Sequence, residues 1–236
     1  MMIRLLAGLL CALLSVAGQV SAGAWPREAG TGFASVTRWQ AQDSADSYSA
    51  LFVEYGLLPR LTLGLDAGRS VAGQTKSVAF LRAPFGRAMG GLVAVELGWG
   101  EIAGRRVLRP GLSWGRSVAR SRWQGWLAVD TLMELDLETR QIDIKADVTL
   151  GITPQSQAGT ASDWTVMLQL QTGLVGVQDS LDLLYYEGII PEPSFLRLAP
   201  SVTYRLREGM HLELGLYRGL NGSSERGVKL GLWSRF

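Results

Sequence analysis

The sequence predicts an all-β protein, a closed antiparallel transmembrane β-barrel of about 12 strands, with 10 or 14 strands as alternatives. Two observations lead to this prediction. Segments of about ten residues in which apolar and polar side chains alternate recur along the chain, and this is the pattern of barrel strands that span a membrane. No run of 18 or more apolar residues follows residue 22, so a membrane would have to be crossed by strands that pair with one another.

Residues 1–22 have the three parts of a secretory signal. Arg4 gives a basic start, residues 5–16 form an apolar run, and Val20, Ser21 and Ala22 form a small-residue cleavage site. We expect residues 1–22 to be a signal peptide that is cleaved before Gly23, which leaves residues 23–236 as a single barrel. Cys11, the only cysteine, lies inside the apolar run, so the processed chain would have no disulfide or thiolate chemistry.

Alternation is clearest in residues 141–150, where Ile142, Ile144 and Val148 lie between polar neighbours such as Asp143 and Lys145. A helix with this spacing would place charges on all its sides, so a strand is the better prediction. The pattern is blurred in three of the segments, residues 33–40, 77–85 and 126–136. The predicted strands are residues 33–40, 48–57, 61–68, 77–85, 92–99, 107–114, 126–136, 141–150, 164–171, 195–206, 211–217 and 226–236.

The last strand ends on an aromatic residue at the C-terminal carboxylate. Val228, Leu230, Leu232 and Phe236 share one face of it. This ending resembles the C-terminal strand of bacterial outer-membrane β-barrels. The resemblance implies the outer membrane of a Gram-negative bacterium, reached by Sec-type export, with outer-membrane lipids as neighbours. It also implies that Phe236 is an assembly signal read by the barrel-assembly machinery.

An even number of strands returns both termini to one side of the membrane, so the connections divide into two sets. We expect periplasmic turns at residues 58–60, 85–90, 117–122, 153–163 and 207–209. The outward loops are then residues 41–47, 69–75, 100–104, 138–140, 173–194 and 220–225. Loop 173–194 is unusually apolar, and it either folds into the barrel mouth or extends two strands above the membrane.

If the apolar face of each strand meets lipid, the other face lines the lumen. Acids and bases are both well represented there, which fits either a polar pore or a network of ion pairs that fills a narrow barrel. In the second case Lys145, Arg197 and Arg205 would pair with acids such as Asp143 and Asp147. The predicted lumen-facing residues are Glu54, Asp66, Glu96, Arg109, Asp130, Glu134, Asp143, Lys145, Asp147, Arg197, Arg205, Glu213, Lys229 and Arg235, with the only histidine, His211, on the same face.

Two further residue types have predicted places in the barrel. Pro110 and Pro200 each remove a hydrogen-bond donor from a strand, so they should mark bulges or strand starts. Aromatic residues near strand ends fit girdles at the two membrane interfaces. The predicted girdle residues are Trp39, Tyr55, Trp99, Trp114, Trp164 and Tyr204.

Several function classes are not supported by the sequence. The formal net charge is only +2, and no basic run is interleaved with aromatic residues, so nucleic acid is not an expected partner. His211 has no serine two or four residues away on its own face, although Ser113 and Ser201 could approach it from other strands. A single histidine with scattered carboxylates is weak evidence for a metal. We predict no catalytic residues, no metal and no cofactor, and hence no enzyme.

The sequence therefore predicts an outer-membrane barrel that is a narrow passive channel for small polar solutes or a structural barrel. One alternative is a surface-binding barrel that uses loop 173–194. Another is a lipid-A or phospholipid hydrolase that uses His211. A soluble, secreted β-sandwich is the remaining alternative fold.

Overall fold

The structure, a computed structural model, describes residues 23–156, 160–177, 194–221 and 225–236. These residues form 12 antiparallel strands. Their bounds are β1 Gly32–Ala41, β2 Ser47–Leu58, β3 Leu61–Ser70, β4 Thr75–Ala88, β5 Gly91–Ile102, β6 Arg105–Arg120, β7 Trp123–Asp136, β8 Ile142–Pro154, β9 Trp164–Val177, β10 Phe195–Arg207, β11 Met210–Gly219 and β12 Arg226–Arg235. The predicted signal peptide lies outside the described residues.

Each strand pairs with its neighbours in sequence, and β1 pairs with β12 to close the barrel. The all-β fold and the count of 12 strands are thereby confirmed. Val36 lies opposite Leu232 at this seam, and the backbone N–H of Gly32 donates to the carbonyl of Phe236 at 2.6 Å. We call the end where β1 begins the terminal end of the barrel, and the opposite end the loop end.

Strand lengths differ around the barrel. β1, β3, β11 and β12 have 10 residues each, whereas β4, β7 and β9 have 14 and β6 has 16. About 9–11 residues suffice to span a membrane, so the longer strands extend beyond that height.

Several connections are shorter than the sequence predicted. β4 runs to Ala88 and β6 to Arg120, so two-residue turns replace the predicted turns 85–90 and 117–122. Met89 and Gly90 both have positive φ, at 49° and 73°, as in the tight turns that match the twist of paired strands. β9 likewise continues to Val177. Residues 178–193 of the predicted loop 173–194 lie outside the described residues.

The prediction of bulges or strand starts at Pro110 and Pro200 is wrong. Leu108 pairs with Leu135 and Gly111 with Leu132, so the register between β6 and β7 is the same on both sides of Pro110. The pairing of β10 with β11 likewise keeps its register across Pro200. Each proline omits a ladder hydrogen bond without inserting an extra residue. Register shifts occur instead at four other places, namely Gly56/Leu58, Pro84/Gly86, Ile142/Ile144 and Arg205/Arg207.

The strands have an apolar outer face and a largely polar inner face. Leu97, Leu214 and Leu230 are more than half exposed, whereas Glu54, Arg109 and Glu213 are at most 1% exposed. A small apolar core of Trp126, Ala128 and Met167 also lies inside, with Trp25 and Trp233 packed against it. No helix among the described residues is long and apolar enough to cross a membrane.

Four of the predicted girdle residues, Tyr55, Trp99, Trp164 and Tyr204, are exposed on the outer face. Trp39 is not among them, and its predicted place in a girdle is wrong. Its ring packs edge-on against buried Tyr217, with 5.3 Å between the ring centroids. Residue 39 has the inward parity of β1, which also holds buried Phe33 and Thr37.

Candidate functional site

We call residues 23–31 the N-terminal segment. It enters the barrel at the terminal end, where residues 28–31 are exposed and Gly23 and Ala24 are buried. Ala24 is fully buried. The Arg82 guanidinium donates a hydrogen bond to the carbonyl of Gly23 at 3.1 Å, and the backbone N–H of Arg27 donates to Thr62 Oγ1 at 3.1 Å. These contacts come from β3 and β4, and they place the segment among the inward side chains.

Seven charged side chains of alternating sign form a continuous series, six on the inner face of β2 to β6 and one, Arg27, in the N-terminal segment. Each carboxylate touches two cations. The distances are 2.6 Å for Arg27–Glu54, 2.7 Å for Arg82–Glu96, 3.2 Å for Arg109–Glu96, 2.6 Å for Arg109–Asp66 and 2.8 Å for Lys76–Asp66, and Arg82 also pairs with Glu54. We call these residues, Arg27, Glu54, Lys76, Asp66, Arg82, Glu96 and Arg109, the interior ion network.

Most of the interior ion network is shielded from water, although the Lys76 side chain at its loop end is 24% exposed. Glu54 and Arg109 are each 1% exposed. Buried charges are tolerated only where opposite charges and hydrogen bonds replace water, and the alternating order supplies both. The ring of Phe80 lies under two of the guanidinium groups, 5.0 Å from Arg82 and 5.8 Å from Arg109, and stacks on Phe52. The interior beside β2 to β6 is therefore filled.

Other ion pairs lie on the remaining wall and at both ends of the barrel. Lys145 pairs with Glu134, Lys229 with Glu213, Arg197 with Glu225 and Arg205 with Asp163. The predicted pairing of Lys145, Arg197 and Arg205 with Asp143 and Asp147 is thus wrong. Asp143 and Asp147 each lie two residues from Lys145 on the same strand, which separates them from Lys145 by about 7 Å along the strand axis. A side chain on the next strand lies closer.

The predicted lumen-facing residues therefore fall into groups. Glu54, Asp66, Glu96 and Arg109 meet in the interior ion network, and Glu134 with Lys145 and Glu213 with Lys229 form separate pairs. Asp143 accepts a hydrogen bond from the backbone of Gly176 at 2.7 Å. The structure does not bring the others into the network: Asp130 and Asp147 lie opposite each other on β7 and β8, Arg197 is at the loop end, and Arg205 and Arg235 are near the terminal end.

Sequence reasoning missed three members of the interior ion network, Arg27, Lys76 and Arg82. Arg27 precedes the first strand. Arg82 lies in β4, where the alternation is blurred because its inward neighbours Val78 and Phe80 are apolar. The available signal was parity, since residues 76, 78, 80 and 82 share one face of an extended strand.

A cavity of about 770 Å³ opens at the loop end of the barrel, and we call it the outer cavity. Arg197 lies over two aromatic rings of its wall, 5.7 Å from the Trp39 centroid and 5.2 Å from the Tyr217 centroid. At the rim Arg226 donates to Asp43 at 2.9 Å, and this hydrogen bond holds the pKa of the Asp43 carboxyl below its usual value. The outer cavity thus presents aromatic surfaces and paired charges of both signs, since Arg197 pairs with Glu225 and Arg226 with Asp43.

The environment of His211 differs from that of a catalytic base with a serine partner. The Ser201 hydroxyl donates to Glu213 at 2.8 Å, and Ser113 hydrogen-bonds to Asp130. His211 lies opposite Arg205 on one side and Trp233 on the other. Among the described residues no group of His, Cys, Asp or Glu side chains has the geometry to hold a metal ion.

No family model matches the chain, and no curated protein matches it in sequence. Solved structures do match. A KdgM porin superposes with a TM-score of 0.55 at 7% identity, over 87% of this chain and 99% of that one. A KdgM porin in complex with disordered oligogalacturonate gives 0.56 at 8%, over 87% and 99%. A NanC porin gives 0.53 at 13%, over 85% and 98%. The chain has the fold of these porins.

Proposed function

We propose that this protein is an outer-membrane barrel of a Gram-negative bacterium, reached by Sec export, and that it is a narrow passive channel for small polar solutes. The observation that carries the proposal is the polar interior of a closed 12-strand barrel, whose fold is that of the KdgM and NanC porins. Exposed leucines on the outer face suit a lipid environment. We propose no catalytic role.

Below the outer cavity, part of the interior is filled. The N-terminal segment and the interior ion network fill the space beside β2 to β6. The wall formed by β8 and β9 differs, because its inward side chains Lys145, Asp147, Gln169 and Gln171 are partly exposed. A solute would therefore pass along β8 and β9, and only after the N-terminal segment has moved.

A structural barrel that never conducts is the second candidate. The burial of the interior ion network favours it, because charges that are paired and shielded from water do not line an aqueous path. The two candidates make different predictions for a barrel whose N-terminal segment has been loosened.

Single-channel recording in planar bilayers tests the proposal. We expect refolded residues 23–236 to conduct in rare, small steps, and the double variant Trp25→Ser/Arg27→Gln to open at least ten times more often. This variant removes a ring that packs against the interior core and the first ion pair of the network. Arg60→Gln, in the exposed turn between β2 and β3, is the control and should behave as the parent.

Absence of conductance in both the parent and the double variant, with heat-modifiable migration showing that both are folded, would contradict the channel and support the structural barrel.

A further inference from the structure

Asp130 and Asp147 form an unusual pair on the inner face. They lie directly opposite each other on β7 and β8, an arrangement in which like charges repel. Neither forms an ion pair with another described residue, although Glu134 and Lys145 on the same two strands pair with each other. Gln169 donates to Asp147 at 3.3 Å but carries no charge, so no described cation lies at ion-pair distance from either carboxylate.

The Asp130 carboxylate is also short of donors. Ser113 hydrogen-bonds to it, but Oδ1 is buried and has no hydrogen-bond partner among the described residues. Leaving a buried charged oxygen without a donor is costly. A further cationic donor at this position would remove that cost and offset the repulsion from Asp147.

Gly23 is the neighbour of this carboxylate. A Cβ placed on Gly23 would lie 2.9 Å from Asp130 Oδ2 and 3.0 Å from Asp130 Cγ, so the backbone itself is in contact with the carboxylate. The Gly23 nitrogen is one bond of about 1.46 Å from its Cα. Arg82 holds the Gly23 carbonyl from another side, which fixes the residue in place.

We propose that Asp130, assisted by Asp147, is the binding site for the protein's own processed N-terminus, the α-ammonium group of Gly23. The inference rests on the export proposed above. Hydrolysis of the Ala22–Gly23 peptide bond consumes one water molecule and leaves a carboxylate on Ala22 and an amino group on Gly23. A free α-amino group has a pKa near 8, so it is protonated at neutral pH and supplies the missing cation.

The ion pair gives signal removal a second consequence. Before cleavage the Gly23 nitrogen is a neutral amide, and after cleavage it is a cation beside an unpaired carboxylate. Processing thus creates the charge that anchors the N-terminal segment inside the lumen. The filling of the interior beside β2 to β6 is then a property of the processed chain.

The first experiment identifies the N-terminus and measures its reactivity. Intact-mass analysis of protein extracted from outer membranes should give a chain that begins at Gly23, and any other first residue overturns the proposal. Reductive dimethylation of the folded protein at neutral pH, followed by mass spectrometry of the N-terminal peptide, then reports how accessible the amino group is.

We expect the α-amino group to label at least tenfold more slowly in the parent than in Asp130→Asn. Asp143→Asn is the matched control, because that carboxylate also faces inward but is bonded to Gly176, and it should label as the parent does. Equal rates in the parent and Asp130→Asn overturn the proposal.

A second variant covers the case in which Asp130→Asn does not fold. A refolded chain that begins at Ala22 displaces the amino group by one residue, and its amino group should label at least tenfold faster than that of the chain beginning at Gly23. Equal rates in these two chains overturn the proposal. The labelling rate does not depend on conductance. A barrel that never conducts would contradict the proposed channel, and the labelling rates would still decide whether Asp130 binds the N-terminus.

Discussion

Arg82 joins the N-terminal segment to the barrel wall. Its guanidinium bonds to the carbonyl of Gly23 and pairs with Glu54 on β2 and Glu96 on β5, while only 8% of the residue is exposed. Each of these partners is fixed by a different part of the chain. The residue is therefore the point at which the segment, the strands and the interior ion network depend on one another.

We expect Arg82→Met to destabilise the barrel by about 3 kcal/mol, because both carboxylates lose a partner in a site that water does not reach. Arg27 and Arg109 still compensate them in part. The control is Arg87→Met, since Arg87 is an exposed residue of the same strand. It should change the free energy of unfolding by less than about 0.5 kcal/mol. Urea unfolding of the refolded proteins measures both, and similar losses for the two variants would contradict a buried network.

Two neighbouring residues of β9 test which face meets lipid. Leu170 has the parity of exposed Leu168, whereas Gln171 lines the outer cavity. Arginine on the lipid face near mid-membrane costs on the order of 2–4 kcal/mol, so we expect that loss for Leu170→Arg. Gln171→Arg should cost less than about 1 kcal/mol, because its charge enters a polar cavity. Refolding into lipid vesicles gives both values, and a larger loss for Gln171→Arg would reverse the assignment of faces.

At the scale of elements, β1 and β12 form the seam. The main chain of Phe236 bonds to Gly32 in both directions, with N–H to carbonyl distances of 3.1 and 2.6 Å, while its side chain is 66% exposed. The backbone at this position thus closes the barrel. The ring lies over Gly32, whose lack of a side chain leaves room for it.

Phe236→Ala should therefore separate assembly from stability. The backbone bonds to Gly32 remain, so we expect the unfolding free energy of the refolded variant to change by less than about 1 kcal/mol. The yield of heat-modifiable protein in outer membranes should fall several-fold, because the resemblance makes Phe236 the assembly signal. Leu232→Ala, another exposed residue of β12, is the control. Normal yield for Phe236→Ala would refute the role.

Alternation predicted the existence of all 12 strands but not where they end. β4 shows why. Its inward residues Val78 and Phe80 are apolar because Phe80 stacks on Phe52 inside the barrel, and this blurred the pattern. Its end at Ala88 depends on a turn with positive φ at Met89 and Gly90, and the glycines and polar residues nearby resemble those of a longer loop.

At the scale of the whole molecule, the inner and outer faces could be predicted because each strand carries its own period of two. The partners of each charge could not. Arg109 on β6 reaches Asp66 on β3, a contact that depends on barrel curvature. The N-terminal segment was missed for a similar reason, since it has no alternation and its place depends on contacts with β2, β3, β4 and β7.

The unequal strand lengths make one wall of the barrel higher than the other. β6 exceeds β1 and β12 by six residues, or about 20 Å of strand, and exposed arginines of outward parity lie near both of its ends: Arg106, Arg116 and Arg120. A bilayer of uniform thickness covers the low wall. The high wall extends into both headgroup layers, and its guanidinium groups stay in those layers. If the barrel tilted toward the high wall, these guanidinium groups would enter the hydrocarbon layer. The barrel axis should therefore keep one preferred direction of tilt relative to the membrane normal.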